Sequence, residues 1–126
     1  MSNLRIGFGF DSHQIEKGDS MTLGGVEISC GYQIIAHSDG DVVTHAICDA
    51  LLGAAHLGDL GSFVPDDDST KNLSSLVILK NVMTKITDLE MTVINIDSTF
   101  VYYGESLVDK LKTYTSQILS ISGALS

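Results

Sequence analysis

Positive charge is scarce in this sequence. Seven Lys and Arg stand against sixteen Asp and Glu, a formal net charge of −9 over 126 residues. Nucleic-acid backbones are gripped by clustered Lys and Arg, and no such cluster occurs, so a nucleic-acid partner is not expected. Proline occurs once, at Pro65, and 44% of residues are hydrophobic, which excludes collagen-like repeats and intrinsic disorder. No apolar run reaches the 18 or so residues a membrane span requires, so no membrane association is expected. The N-terminal MSNLRIGFGFDSH lacks the basic-then-apolar layout of a secretory signal and the Arg-rich character of a transit peptide. Cys30 and Cys48 are the only cysteines, too few for a disulfide scaffold and suited to a reducing cytoplasm. An acidic chain can still bind phosphorylated small molecules if a metal ion or backbone N–H groups supply the positive charge.

What is present reads as one domain. Leu4 to His13 alternates, with Leu4, Ile6, Phe8 and Phe10 on one face and Arg5, Gly7, Gly9, Asp11 and His13 on the other, the period of a strand. Met21–Leu23 and Val26–Ile28 flank the turn signal Gly24-Gly25, and Gly31 to Ala36 connects onward. Ser38, with Asp41 three residues later, resembles a capping box. The apolar positions 42, 43, 46, 47, 50, 51, 54 and 55 then recur at helical spacing. Small residues at 46, 50, 53, 54 and 55 would let that helix approach a neighbour closely. A second helix is expected over about 73–89, a strand over 91–102, and a third helix over about 106–121 capped by Gly123. The expected class is α+β, a small mixed β-sheet covered by helices in the order β-β-α-α-β-α.

Candidate chemistry concentrates in three places. Asp11 and His13 share a strand face, and His45 lies on the helix side away from its broad apolar stripe. If that helix packs beside the end of the strand, the three can converge. Two imidazoles and a carboxylate with a vacant position make a common open zinc site, although on spacing alone ordinary polar side chains are the plainer reading. Gly7 and Gly9 would leave room for close backbone approach. The run His37-Ser38-Asp39-Gly40-Asp41 precedes a helix N-terminus, where an anion could bind, and simple capping is the competing role of Ser38 and Asp39. Asp41 could orient the His45 imidazole, and Asp49 shares that helix face. Asp66, Asp67 and Asp68 could hold a hard cation, with a solvated acidic turn the plainer reading. Cys48, among apolar neighbours, reads as a buried thiol. His56 sits where a helix cap suffices.

These motifs together resemble the 2-C-methyl-D-erythritol 2,4-cyclodiphosphate synthase family. The matching runs are RIGFGFDSH (5–13), LGGVEI (23–28), AHSDGDVVTHAICDALLGAAHLGDLG (36–61) and FVPDDD (63–68). The resemblance implies a cytoplasmic homotrimer with sheets facing its centre and active sites between subunits. It implies a phosphorus–oxygen lyase of non-mevalonate isoprenoid precursor biosynthesis, acting on a small diphosphocytidyl substrate. Asp11, His13 and His45 would hold Zn²⁺ or another divalent cation, and Mg²⁺ would sit on the substrate diphosphate. His37, as the catalytic residue, and Ser38 would lie near the 2-phosphate. Asp59, Leu60, Gly61, Val64, Pro65, Asp66, Asp67 and Asp68 would contact substrate, as would Asp11 and His13, while Asp41 and Asp49 would support the site from behind.

The second half departs from the family pattern. The family's cytidine-contacting Ala-Gln-x-Pro-Lys-x is replaced by Tyr102–Leu107, and Lys71–Ser75 matches Lys-Gly-Ala-Asp-Ser only loosely. The family's last strand and Thr-Thr-rich loop have no counterpart before Ser126. The expectation is therefore a C-terminally truncated chain whose 126 residues alone do not turn over. The alternative function is a catalytically inactive, zinc-binding trimeric module for isoprenoid diphosphates or protein partners.

Overall fold

Two glycines set the first turn. Gly24 (φ 58°) and Gly25 (φ 79°) both occupy positive φ, the backbone demanded by a two-residue hairpin loop that follows strand twist. They join β2 (Ser20–Leu23) to β3 (Val26–Ser29), paired antiparallel with Leu23 opposite Val26. Around this hairpin, β1 (Ile15–Lys17) pairs antiparallel with β4 (Tyr32–Ile34). The computed structural model describes residues 3–36, 38–64 and 73–102, and among them these two ladders are the only sheets. The class is α+β as expected, but both sheets are antiparallel pairs and not one mixed sheet. Strands β1 and β4 were not foreseen, for each is only three residues long and carries a charged or amide side chain at its centre.

Three helices follow among the described residues: α1 (Val42–Ala54), α2 (Leu60–Phe63) and α3 (Ser75–Asp88). Helix α1 starts at Asp41, whose carboxylate accepts from the Thr44 N–H. The Ser38–Asp41 capping box is thus corrected, with Asp41 itself the cap. Its apolar spacing buries Val43, Ile47, Cys48, Leu51 and Leu52, and α3 opposes it with Ile78, Leu79, Val82 and Ile86. Leu23 and Ile28 of the hairpin complete this core, and each such side chain contributes about 1.5–3 kcal/mol when removed from water. Both long helices end in the same way. The N–H groups of His56 and Leu57 return to Gly53 and Leu52, and those of Glu90 and Met91 return to Thr87 and Ile86. His56 (φ 58°) and Glu90 (φ 57°) take the left-handed position usually given to glycine.

Residues 4–13 and 91–102 are not assigned as strands. The expected alternation survives in the first: Gly7, Gly9, Asp11 and His13 are half-buried, while Phe8 and Phe10 are exposed. A strand also needs a neighbour to form a ladder with. A cavity of 1590 Å³ is lined by residues 3–13, the alanine face of α1 and residues 89–102. The expected helix over 106–121, Gly123 and the Tyr103–Leu107 stretch lie outside the described residues, as do His37, Pro65, Asp66, Asp67 and Asp68. Among the described residues, no helix is long and apolar enough to cross a membrane.

Candidate metal centre

The backbone at Gly7 and Gly9 lies directly on α1. A β-carbon at Gly9 would collide with the Ala46 carbonyl oxygen, and one at Gly7 with the Ala50 carbonyl oxygen. Only glycine permits this approach, and only the small residues Ala46, Ala50 and Ala54 leave the helix surface flat enough to receive it. Two residues beyond Gly9, the same alternation turns Asp11 and then His13 toward α1, where His45 stands in the first turn.

Ligand atoms of Asp11, His13 and His45 lie within 4.8 Å of one another. Asp11 Oδ2 is 3.0 Å from His13 Nδ1 and 3.3 Å from His45 Nδ1. Ligands held about 2.0–2.2 Å from one tetrahedral ion stand roughly 3.3 Å apart, so the spacing fits a single cation. The hydrogen bonding fits as well. Asp11 Oδ2 and His13 Nδ1 are buried and have no hydrogen-bond partner, a costly state for polar atoms that a shared cation would relieve. This carboxylate and two imidazoles form a group that could bind a divalent metal.

Burial alone would lower the pKa of His45. The Asp11 carboxylate beside it, helped by the charges of Asp39 and Asp41, more than offsets this and holds the imidazole above its ordinary value. On its far side, His45 Nε2 is 2.7 Å from Ser75 Oγ. Ser75 Oγ bonds Asp39 Oδ1 and the Ser75 N–H donates to Asp39 Oδ2 at 2.8 Å. The ring is therefore oriented by Ser75 and Asp39, and the expected support from Asp41 is corrected. Asp41 Oδ1 accepts from the Gly24 N–H (2.8 Å) and the Thr44 N–H, while Oδ2 accepts from the Gly25 N–H (2.7 Å) and the Thr44 hydroxyl. Its carboxylate clamps the hairpin turn to the start of α1 and reaches His45 only through its charge. Burial pushes the Asp41 pKa up, and these hydrogen bonds only partly oppose it.

The remaining expected residues spread along one flank. Asp49 accepts the Leu60 N–H at 2.7 Å, so it fixes the start of α2 and not the His45 ring. Asp59 caps α2 by accepting from the Ser62 N–H (2.9 Å) and hydroxyl (3.0 Å), and these donors lower its pKa. Leu60 and Val64 are half-buried, Gly61 is exposed, and Ser38 is half-buried just before the N-cap. Cys48 is fully buried, which pushes its thiol up to about 12, as befits an inert thiol. Ser75 was noted only as the last residue of the loosely matching Lys71–Ser75 stretch, and its link to His45 escaped the sequence reading because the two lie 30 residues apart.

A sequence model described as the YgbB family matches residues 4–124. A 2-C-methyl-D-erythritol 2,4-cyclodiphosphate synthase of Syntrophomonas wolfei is 44% identical over 119 residues, covering 94% of this chain and 76% of that protein. One of the same name from Pseudomonas syringae pv. syringae is 43% identical over 122 residues, 94% of this chain and 78% of the other. A solved 2C-methyl-D-erythritol-2,4-cyclodiphosphate synthase with bound CDP superposes with a TM-score of 0.82 at 30% identity, over 96% of this chain and 81% of that one. The Plasmodium falciparum IspF–CDP complex gives a TM-score of 0.81 at 28% identity, over 96% and 74%. By sequence match and by fold, the chain belongs to the YgbB family, that of the 2-C-methyl-D-erythritol 2,4-cyclodiphosphate synthases.

Proposed function

We propose that the chain is a lyase of isoprenoid precursor biosynthesis that converts 4-diphosphocytidyl-2-C-methyl-D-erythritol 2-phosphate to 2-C-methyl-D-erythritol 2,4-cyclodiphosphate and CMP. An oxygen of the 2-phosphate bonds to the β-phosphorus, the bond from that phosphorus to the bridging oxygen breaks, and CMP leaves with the oxygen. In-line phosphoryl transfer needs positioning and charge neutralisation more than covalent help. The observation that carries the reading is the convergence of Asp11, His13 and His45 within a family of enzymes so named.

In this reading Asp11, His13 and His45 hold zinc, the metal that suits two imidazoles and a carboxylate. Zinc bound there supplies Lewis acidity toward a phosphoryl oxygen, and magnesium accompanies the substrate's diphosphate. His37 and Ser38 take the 2-phosphate end. Asp59, Leu60, Gly61 and Val64 face the methylerythritol, together with Pro65, Asp66, Asp67 and Asp68. A net charge of −9 supports a reaction whose anionic substrate is neutralised by metal ions. The chain acts as one domain, consistent with a single family match over residues 4–124, in a cytoplasmic homotrimer with sites between subunits. The named relatives, matched over 76% and 78% of their own lengths, favour this enzyme over a non-catalytic metal-binding module and over the expectation that these residues do not turn over.

The test pairs metal analysis with ³¹P NMR of the substrate in magnesium-containing buffer. The expected result is one zinc per chain and conversion to cyclic diphosphate and CMP. His45→Ala should lose both, with α1 retained because Ala favours helix. Zinc-loaded protein that yields no CMP would overturn the enzymatic reading, and full zinc content in His45→Ala would overturn the ligand assignment.

A further inference from the structure

We propose that Ser75 and Asp39 form a relay that fixes which nitrogen of His45 faces the ligand cluster, making both of them positioning residues for the metal. The inference rests on the metal reading above. It follows from counting protons. An ionised carboxylate can only accept hydrogen bonds, and a serine hydroxyl has one proton to donate. Asp39 Oδ2 takes the Ser75 N–H, and Asp39 Oδ1 takes the Ser75 hydroxyl proton. Ser75 Oγ then has only lone pairs to offer His45 Nε2, 2.7 Å away, so Nε2 carries the imidazole proton. Nδ1 is left as a bare lone pair, 3.3 Å from Asp11 Oδ2.

Burial makes this arrangement restrictive. Ser75 is fully buried and His45 nearly so, so water has little room to replace a missing partner. Asp41 cannot substitute, because both its oxygens already serve the Gly24-Gly25 turn and Thr44. In the neutral ring, electron pairs of Asp11 and His45 therefore face each other. That arrangement is unfavourable on its own and is relieved by a cation. The relay also ties the first residue of α3 to the first turn of α1, so helix packing helps set the imidazole's aim.

Two measurements test the relay. Zinc affinity is read by competition with a chromophoric chelator, and the His45 tautomer by ¹⁵N NMR of the metal-free chain at alkaline pH, where the ring is neutral. In the wild-type chain Nε2 should give the protonated signal and Nδ1 the unprotonated one. Ser75→Ala should weaken zinc binding about 10–100-fold, the usual effect of removing a partner behind a metal-bound histidine, and should mix the tautomers. Asp39→Asn keeps the side-chain shape and serves if Ser75→Ala fails to fold. Its amide can donate to Ser75 Oγ, freeing the hydroxyl proton for Nε2, so the Nδ1–H form should grow and zinc affinity should fall. An Nδ1–H tautomer in the wild-type chain would overturn the relay. So would zinc binding within about threefold of wild type in both variants. A wild-type chain that binds no zinc would overturn the cluster reading and the positioning role with it, whereas intact zinc in the variants overturns the relay alone.

Discussion

Adding one methyl group at each of two glycines should move stability in opposite directions. A β-carbon at Gly9 would meet the Ala50 amide nitrogen at 2.7 Å and the Ala46 carbonyl still more closely. Comfortable contacts between such atoms lie near 3.5 Å, and the Ala46 carbonyl oxygen is the worst placed, so the chain must retreat from α1 by roughly 1.5 Å. The obstacle is backbone within a 13-residue helix, which cannot rotate aside as a side chain can. Overpacking costs about 1–3 kcal/mol, and a rigid obstacle places Gly9→Ala at about 3 kcal/mol. Gly53, within α1 itself, has nothing within 4 Å of an added β-carbon. Gly53→Ala should therefore stabilise by about 0.5–1 kcal/mol, the ordinary gain for replacing a helical glycine.

Urea unfolding of the metal-free proteins measures both. The expected separation between the variants is roughly 3.5–4 kcal/mol, a large part of a stability of about 5–15 kcal/mol. Zinc affinity should follow for Gly9→Ala, since Asp11 is two residues away and metal ligands tolerate only about 0.2 Å of misplacement. Gly53→Ala should bind zinc as the wild-type chain does. If Gly9→Ala unfolds within about 0.5 kcal/mol of wild type and keeps its zinc, the seating of residues 7–13 on α1 is wrong.

Asp41→Ala removes the acceptor for four donors and should cost about 3 kcal/mol or more in urea unfolding; a loss under about 1 kcal/mol would deny the clamp. Asp59 should titrate below the ordinary carboxylate range, because Ser62 stabilises its ionised form. Its contribution to α2 is present above the unfolded-state pKa and is lost as pH falls through the lowered folded value; ¹³C NMR should show Ser62→Ala, which keeps the N–H donor and removes the hydroxyl, moving the titration part of the way upward, and no movement would refute the hydroxyl's share. With its thiol near 12, Cys48 should resist thiol reagents at neutral pH in the folded chain while half-buried Cys30 reacts first. Labelling of Cys48 at the rate seen in denaturant would contradict its burial.

Local pattern was legible where one side chain's environment depends on near neighbours. The apolar spacing of α1 and α3, the Gly24-Gly25 turn and the alternation of residues 4–13 all belong to this class. Strand pairing was not, because alternation reports which face a residue takes and says nothing about what runs alongside. The cap of α1 was misread for a related reason. Ser38, Asp39 and Asp41 are all good N-cap residues, and only the fold shows that Asp41 takes the position while Asp39 turns to Ser75. The metal cluster was legible as a set of ligand types, yet its support was not. Nothing in the spacing of Asp39, His45 and Ser75 indicates that a helix 30 residues on supplies the hydroxyl behind the imidazole.

The candidate site inherits its geometry from a single helix. Along α1, Ala46 and Ala50 receive the glycines that carry Asp11 and His13, His45 supplies the third ligand, and Asp49 accepts the Leu60 N–H. His45 and Asp49 are four residues apart, a rise of about 6 Å along the axis. The metal ligands and the Asp59–Val64 segment are thus held about one turn apart by a continuous backbone. Sites mounted on helices keep their spacing better than sites mounted on loops. Here the segments outside α1 gain that precision second-hand, through the hydrogen bond from the Leu60 N–H to Asp49 and through the close seating of Gly7 and Gly9. A perturbation at the Ala46, Asp49 or Ala50 contacts of this face should therefore disturb metal binding and the Asp59 segment together, whereas one on the opposite, core-packed face should first lower stability.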